Sequence, residues 1–230
     1  VDNTTLTVNT FTLSDSSLVI GDTATVTLVF SEQVTGFSSA DDITVQNGTL
    51  SAMTSSDNIT WTGTFTPSTN IEDTSNILSL ANTYTDLAGN AGVTAQTANY
   101  SIDTLAPTAA ITYDSDSPYR DADTVVITAT FSQAMADSPV PQIVITGSGI
   151  DSVAASDMTK TSSTVYTFSY NVPSGDGTGT ITLATGTDLA GNVITATPTS
   201  GATFTVDNTT LTVNTFTLSD SSLLVGETAT

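Results

Sequence analysis

Residues 23–30, TATVTLVF, alternate without a break: Ala24, Val26, Leu28 and Phe30 fall on one side of an extended chain, with threonines and Val29 on the other. A period of two marks a strand with one face buried. The pattern returns at 124–131, where Val125, Ile127, Ala129 and Phe131 hold the matching places. LTVNTFTL (6–13), ITWTGTFT (59–66), VYTFSYNV (165–172) and TGTITLAT (178–185) alternate in the same way. Gly, Asn, Asp, Ser and Pro gather between these runs, as in SDSSLVIGD, SPYRDAD, VPSGDG and DLAGN, and mark turns. No stretch of ten or more residues carries a helical period. The expectation is an all-β protein built of antiparallel sandwiches of the immunoglobulin kind, seven or so short strands to each. Trp61, with Tyr166 at the matching place, reads as a core or rim aromatic on a middle strand.

The chain repeats itself at two levels. Residues 1–25 match 206–230 except that Val19, Ile20 and Asp22 become Leu224, Val225 and Glu227, so the long period, from residue 1 to residue 206, is 205 residues. Within it lies a diverged shorter period: TDLAGN stands at 85–90 and 187–192, FSEQV at 30–34 answers FSQAM at 131–135, and the pair Ile102–Asp103 answers Val206–Asp207. Three segments follow: an Ig-like unit A over 1–102, an Ig-like unit B over 103–206, and over 207–230 the first strand and the start of the second strand of another unit A. An odd number of strands puts the two termini of a sandwich at opposite ends, so such units stack end to end. The last segment presents an apolar face, Leu211, Val213, Phe216 and Leu218, which is expected to be covered either by further strands of a longer array or by strand addition to a neighbouring molecule.

Composition narrows the function. There are 23 acidic residues against two basic ones, Arg120 and Lys160, for a net charge of −21. Such a surface repels phosphate backbones, which excludes nucleic acid as a partner, and attracts cations. Without cysteine or histidine there are no disulfides, no thiolate nucleophile, no ordinary zinc site and no histidine base. No nucleophile–base pair is visible, so no enzyme is expected. A single lysine cannot supply repeated isopeptide cross-links. No apolar run reaches the eighteen or so residues that a membrane span needs. Residue 1 is Val with no signal pattern ahead of it, as expected for a piece of a longer protein. The glycine-rich GSG (147–149) and SGDGTG (174–179) lack a following Lys–Ser/Thr and read as hairpin turns rather than phosphate loops.

The elements (V/I)D, G-D-T-A-T-V-T-L-V-F-S-E and T-D-L-A-G-N, with a closing strand that ends in (I/V)D, resemble the bacterial Ig-like repeats of giant secreted adhesins and biofilm proteins. The resemblance spans 1–205 and the partial third unit. It implies an extracellular, cell-surface extender stiffened by calcium, which holds an adhesive tip away from the cell and has neighbouring repeats of the same chain as its partners.

Strand direction places the candidate chemistry at the ends of the units. A first strand running away from the N-terminal end brings the DLAGN loop back beside the entering linker. The expected ligands between units A and B are Asp22, Asp103, Asp188 and Asn192; ahead of unit A, Asp2, Glu32, Asp86 and Asn90; after unit B, Asp121, Asp123 and Asp207. Hard oxygen ligands in such number suit calcium, with its six to eight oxygens in a forgiving geometry, better than magnesium. The competing reading makes Asp86 and Asp188 simple Asx turns, with Gly89 and Gly191 at positive φ. Glu32 is replaced by Gln133 in unit B, which removes one ligand charge from the A–B junction. Two alternative functions remain: a subunit of a self-assembling filament or surface layer, and a glycan- or host-protein-binding module whose best cluster is Tyr113, Tyr119 and Arg120. Sequons at Asn3, Asn47, Asn58, Asn99 and Asn208 carry no expectation of glycosylation in a chain where threonine is about a fifth of all residues.

Overall fold

The computed structural model describes residues 4–219, 221–222 and 224–228. Two hydrophobic cores organise them, one drawn from Leu6 to Ile102 and one from Ala109 to Val206. Each is the filling of a β-sandwich.

In unit A the alternation seen in the sequence becomes the central strand Ala24–Phe30, with Ala24, Val26, Leu28 and Phe30 buried. It pairs antiparallel with Val8–Leu13 on one side and Thr60–Pro67 on the other, and Gly48–Leu50 completes the sheet. Threonines on the alternate positions lie on the outer face, where β-branched side chains suit a pleated surface. The opposing layer is made of short pieces, Ile43–Val45 with Leu78–Leu80 and Ala95–Gln96, and Glu72–Asn76 with Tyr100–Asp103. Asn76, fully buried, interrupts the run between two of them and donates to the carbonyls of Asp73 and Tyr100. A one-turn helix, Ser39–Asp42, is the only helix among the described residues.

Unit B repeats the plan with longer strands. Ala109–Tyr113, Thr124–Phe131, Val165–Asn171 and Thr159–Lys160 form one sheet, and Val153–Asp157, Gln142–Ser148, Gly177–Ala184 and Thr203–Val206 the other. The GSG segment opens the hairpin between two adjacent strands of the second sheet. SGDGTG is not a hairpin: it carries the chain from Val165–Asn171 in one sheet to Gly177–Ala184 in the other.

The sandwiches are not wholly antiparallel. The last strand of unit A, Tyr100–Asp103, reaches one residue past the boundary expected at 102, so Asp103 belongs to unit A; it runs parallel to Ser17–Val19, a piece of the first strand that crosses to the other sheet. Unit B keeps traces of this as parallel bridges Ala110–Ser200 and Tyr119–Val206. First and last strands running the same way means that each unit is entered at one end and left at the other.

Aromatic rings fill the cores. Phe30, Phe37, Tyr84 and Trp61 stack edge to face in unit A, with Trp61 half-buried 4.9 Å from Phe37, and Tyr166 meets Phe131 in the same way in unit B. Glycine makes room for two of the rings: a Cβ on Gly48 would fall 2.3 Å from the Phe65 ring, and one on Gly179 would fall 2.3 Å from Phe204. The described residues after 206 form no strand, and Leu211, Val213, Phe216 and Leu218, the second copies of Leu6, Val8, Phe11 and Leu13, are exposed.

Because the two cores share no residue, damage to one should be felt mainly there. Phe65→Ala is expected to destabilise unit A by about 3–5 kcal/mol, the usual cost of emptying a buried aromatic site. Calorimetry should show an early unit A transition and an almost unmoved unit B transition.

Candidate functional site: the junction between units A and B

The two TDLAGN segments fold alike. In unit B the Asp188 Oδ1 accepts from the N–H groups of Ala190 (2.9 Å) and Asn192 (2.8 Å), the Asp188 N–H donates to the Asn192 carbonyl (3.1 Å), and Gly191 takes φ +92°. In unit A the Asp86 Oδ1 accepts from the Asn90 N–H at 2.8 Å and Gly89 takes φ +91°. The turn chemistry is therefore real, but its main-chain hydrogen bonds use one oxygen of each carboxylate.

The second oxygen of Asp188 faces the linker. Asp188 Oδ2 accepts from Asn192 Nδ2 at 2.9 Å and from Gln133 Nε2 at 2.6 Å. Asn192 Nδ2 also reaches Asp103 Oδ1 (3.0 Å) and the Asp103 carbonyl (3.1 Å), and Gln133 Nε2 donates to the Leu105 carbonyl at 2.8 Å. Four oxygens, from Asp103 (two), Leu105 and Asp188, thus converge on two amide NH2 groups. Asp103 is held firmly, since its strand is paired with Glu72 on one side and Val19 on the other.

This corner is short of positive charge. Asp188 and Asn192 are buried, at 3% and 1% exposure, and the Asn192 Oδ1 is enclosed with no hydrogen-bond partner. Burial pushes the Asp103 carboxyl above its usual range and the Asp188 charge adds to this, offset in part by hydrogen bonds from Leu105 N–H and Asn192. A buried acceptor without a partner is costly, as is a desolvated charge facing one of like sign. Both penalties would fall if a cation sat among these oxygens. Calcium accepts such a mixture of carboxylate, amide and main-chain oxygens, and Asp103, Asp188, the Leu105 carbonyl and the amide oxygen of Asn192 are the groups that would hold it.

The other expected ligands are placed differently. Asp22 sits in the turn after Ser17–Val19, its Oδ2 accepting from the Val19 N–H at 3.0 Å, so it closes its own turn. Ahead of unit A, Asn90 Nδ2 reaches Asp86 Oδ2 (2.6 Å), as Asn192 reaches Asp188, and also the Thr4 carbonyl (3.4 Å), and Glu32 lines the same depression as Leu87 and Ala88 of the loop. Burial works against the Asp86 carboxylate, but hydrogen bonds from Asn90, Ala88 and Gly89 hold it below the usual range. Asp2 lies outside the described residues. After unit B, Asp123 Oδ2 accepts from the Arg120 N–H, the Asp121 N–H donates to Asn208 Oδ1, and Asp207 Oδ1 accepts from the Thr209 N–H. Each of these three serves its own turn or tether.

Among the described residues no three His, Cys, Asp or Glu side chains gather as a metal-holding group. The expectation of carboxylates from three separate parts of the sequence is corrected in that respect: at the A–B junction two carboxylates meet, and amides and carbonyls complete the set. The sequence reading missed Gln133 and the Leu105 carbonyl as contributors. The glutamine was visible as the counterpart of Glu32, and its donors were the overlooked signal; a main-chain oxygen has no signature in sequence.

The glycan cluster fares worse. Tyr119 is 3% exposed and packs on Phe204 and Tyr113, while the hydroxyls of Tyr119 and Tyr113 donate to the carbonyls of Ser115 and Gly201. These rings belong to the core and offer no stacking platform.

Fold and junction together define a module of the Ig-like class. Residues 2–102, nearly all of unit A, match the family described as bacterial Ig-like domain. Bacterial Ig-like domains are typical of surface proteins and are typically structural modules. Comparison with curated proteins returned no match. No helix of the described residues is long and apolar enough to cross a membrane.

Two substitutions should act in opposite directions in cation-free buffer. Asn192→Ala removes the amide that separates the carboxylates and should cost about 1–3 kcal/mol. Asp103→Asn removes one of the opposed charges and should raise the melting temperature. Thermal melts in chelator check both.

Proposed function

We propose that the chain is an extender segment of a bacterial cell-surface or biofilm-matrix adhesin, in which calcium at the junctions fixes each Ig-like unit against the next. The observation that carries this reading is the meeting of Asp103, from the last strand of unit A, with Asp188 and Asn192 of the unit B loop, where the Asn192 Oδ1 is buried and lacks a partner. The net charge of −21 supports it, because a chain so acidic attracts cations and resists lateral association.

The mechanism is mechanical. A cation shared by the linker and the unit B loop would make the relative orientation of the units part of its binding energy, adding to the hydrogen bonds that Gln133 makes across the same joint. A second reading is a filament of identical chains, in which the copy of the first strand, with Leu211, Val213, Phe216 and Leu218, would be added to a neighbouring molecule. Electron microscopy in calcium separates the two, as single particles or as ordered filaments.

Calcium at about a hundred times its dissociation constant should stabilise the protein by about 2.7 kcal/mol per site. The expected result is a clear rise in melting temperature from chelator to millimolar calcium, absent from the Asp103→Asn, Asp188→Asn double variant. Equal melting in both buffers for the unaltered chain would contradict the reading.

A further inference from the structure

Units A and B hold different residues at one equivalent position of their entry junctions. The equivalence is structural: the Ser31 N–H donates to the Thr7 carbonyl and the Ser132 N–H to the Thr108 carbonyl, while the hydroxyls of Ser31 and Ser132 accept from the N–H groups of Thr7 and Thr108. The next residue is Glu32 in one unit and Gln133 in the other.

Gln133 does two things that a carboxylate cannot. Its Nε2 donates to the Leu105 carbonyl in the linker and to Asp188 Oδ2 in the loop, tying the entering chain to the sandwich with no ion present. A glutamate there has no hydrogen to give, and would set a carboxylate against a carbonyl oxygen and another carboxylate. We propose that this position decides how each junction depends on a cation: Gln133 latches the A–B junction by hydrogen bonds, whereas the glutamate of type-A units makes their entry junction close only around a divalent cation. The latch stands without the proposed calcium role; the glutamate half rests on it. An array of alternating units would then alternate between junctions that stay set and junctions that loosen when calcium is withdrawn, giving hinges at every second joint. The loop asparagine is common to both kinds, since Asn90 and Asn192 each donate to the Oδ2 of their own loop aspartate.

The absence of cysteine allows spin labels at Ser56→Cys in unit A and Ser169→Cys in unit B, both exposed. Inter-label distance distributions of the full chain are compared in chelator and in millimolar calcium. The labelled protein with Gln133 should give a narrow distribution in both. Gln133→Glu should broaden it in chelator and recover the narrow one in calcium, with calcium affinity roughly tenfold higher from the added ligand charge. Gln133→Met, of similar size and without donors, should be broad in chelator. Amide spectra confirm that both units remain folded. A distribution as broad for Gln133 as for glutamate in chelator, or one that stays narrow with methionine, overturns the latch. A Gln133→Glu protein that is broad in chelator and unchanged by calcium sustains the latch and overturns the calcium reading.

Discussion

The meeting of two carboxylates across the joint between two sandwiches is the constraint on which the rest depends. Asp103 and Asp188 come from separate units, are brought close in a partly desolvated corner, and are separated by a single amide NH2 from Asn192. Left alone they repel, and burial has already made the Asp103 charge unfavourable. Something must reconcile them, whether the amides of Asn192 and Gln133 or a cation. In the proposed account, that requirement would turn a flexible connection between independent cores into a joint with a preferred geometry.

The sandwiches exist to hold this corner in place. Asp103 is fixed because it ends a strand hydrogen-bonded on both sides, and Asp188 because its own turn consumes its first oxygen. The tight turn with Gly191 at positive φ is what aims the second oxygen at the linker. Turn former and ligand candidate are thus one residue in two roles, and the choice between them posed by the sequence dissolves once the two oxygens are counted separately.

The sequence showed the fold well because period-two alternation and β-branched faces leave a plain record in TATVTLVF and its counterpart. It showed less of the broken second layer of unit A, where buried Asn76 interrupts a run by main-chain hydrogen bonds, and nothing of the parallel pairing of Ser17–Val19 with Tyr100–Asp103, since pairing direction has no local pattern. At the site, Asp103, Asp188 and Asn192 were legible because repeat motifs and strand direction fixed the end of the sandwich on which they lie. Asp22 was read as a junction ligand; the structure places its Oδ2 on the Val19 N–H in its own turn, a local bond that the sequence does not record. Tyr119 was over-read, since a tyrosine in a polar loop sequence can still turn its ring into the core.

The central claim is that the Asp103–Asp188–Asn192 corner sets one orientation between the units. Residual dipolar couplings of the two units, measured in one weakly aligned sample in calcium, address it most directly. The account predicts a single alignment tensor, in magnitude and direction, for unit A and unit B; two distinct tensors would show units that reorient independently and would contradict it.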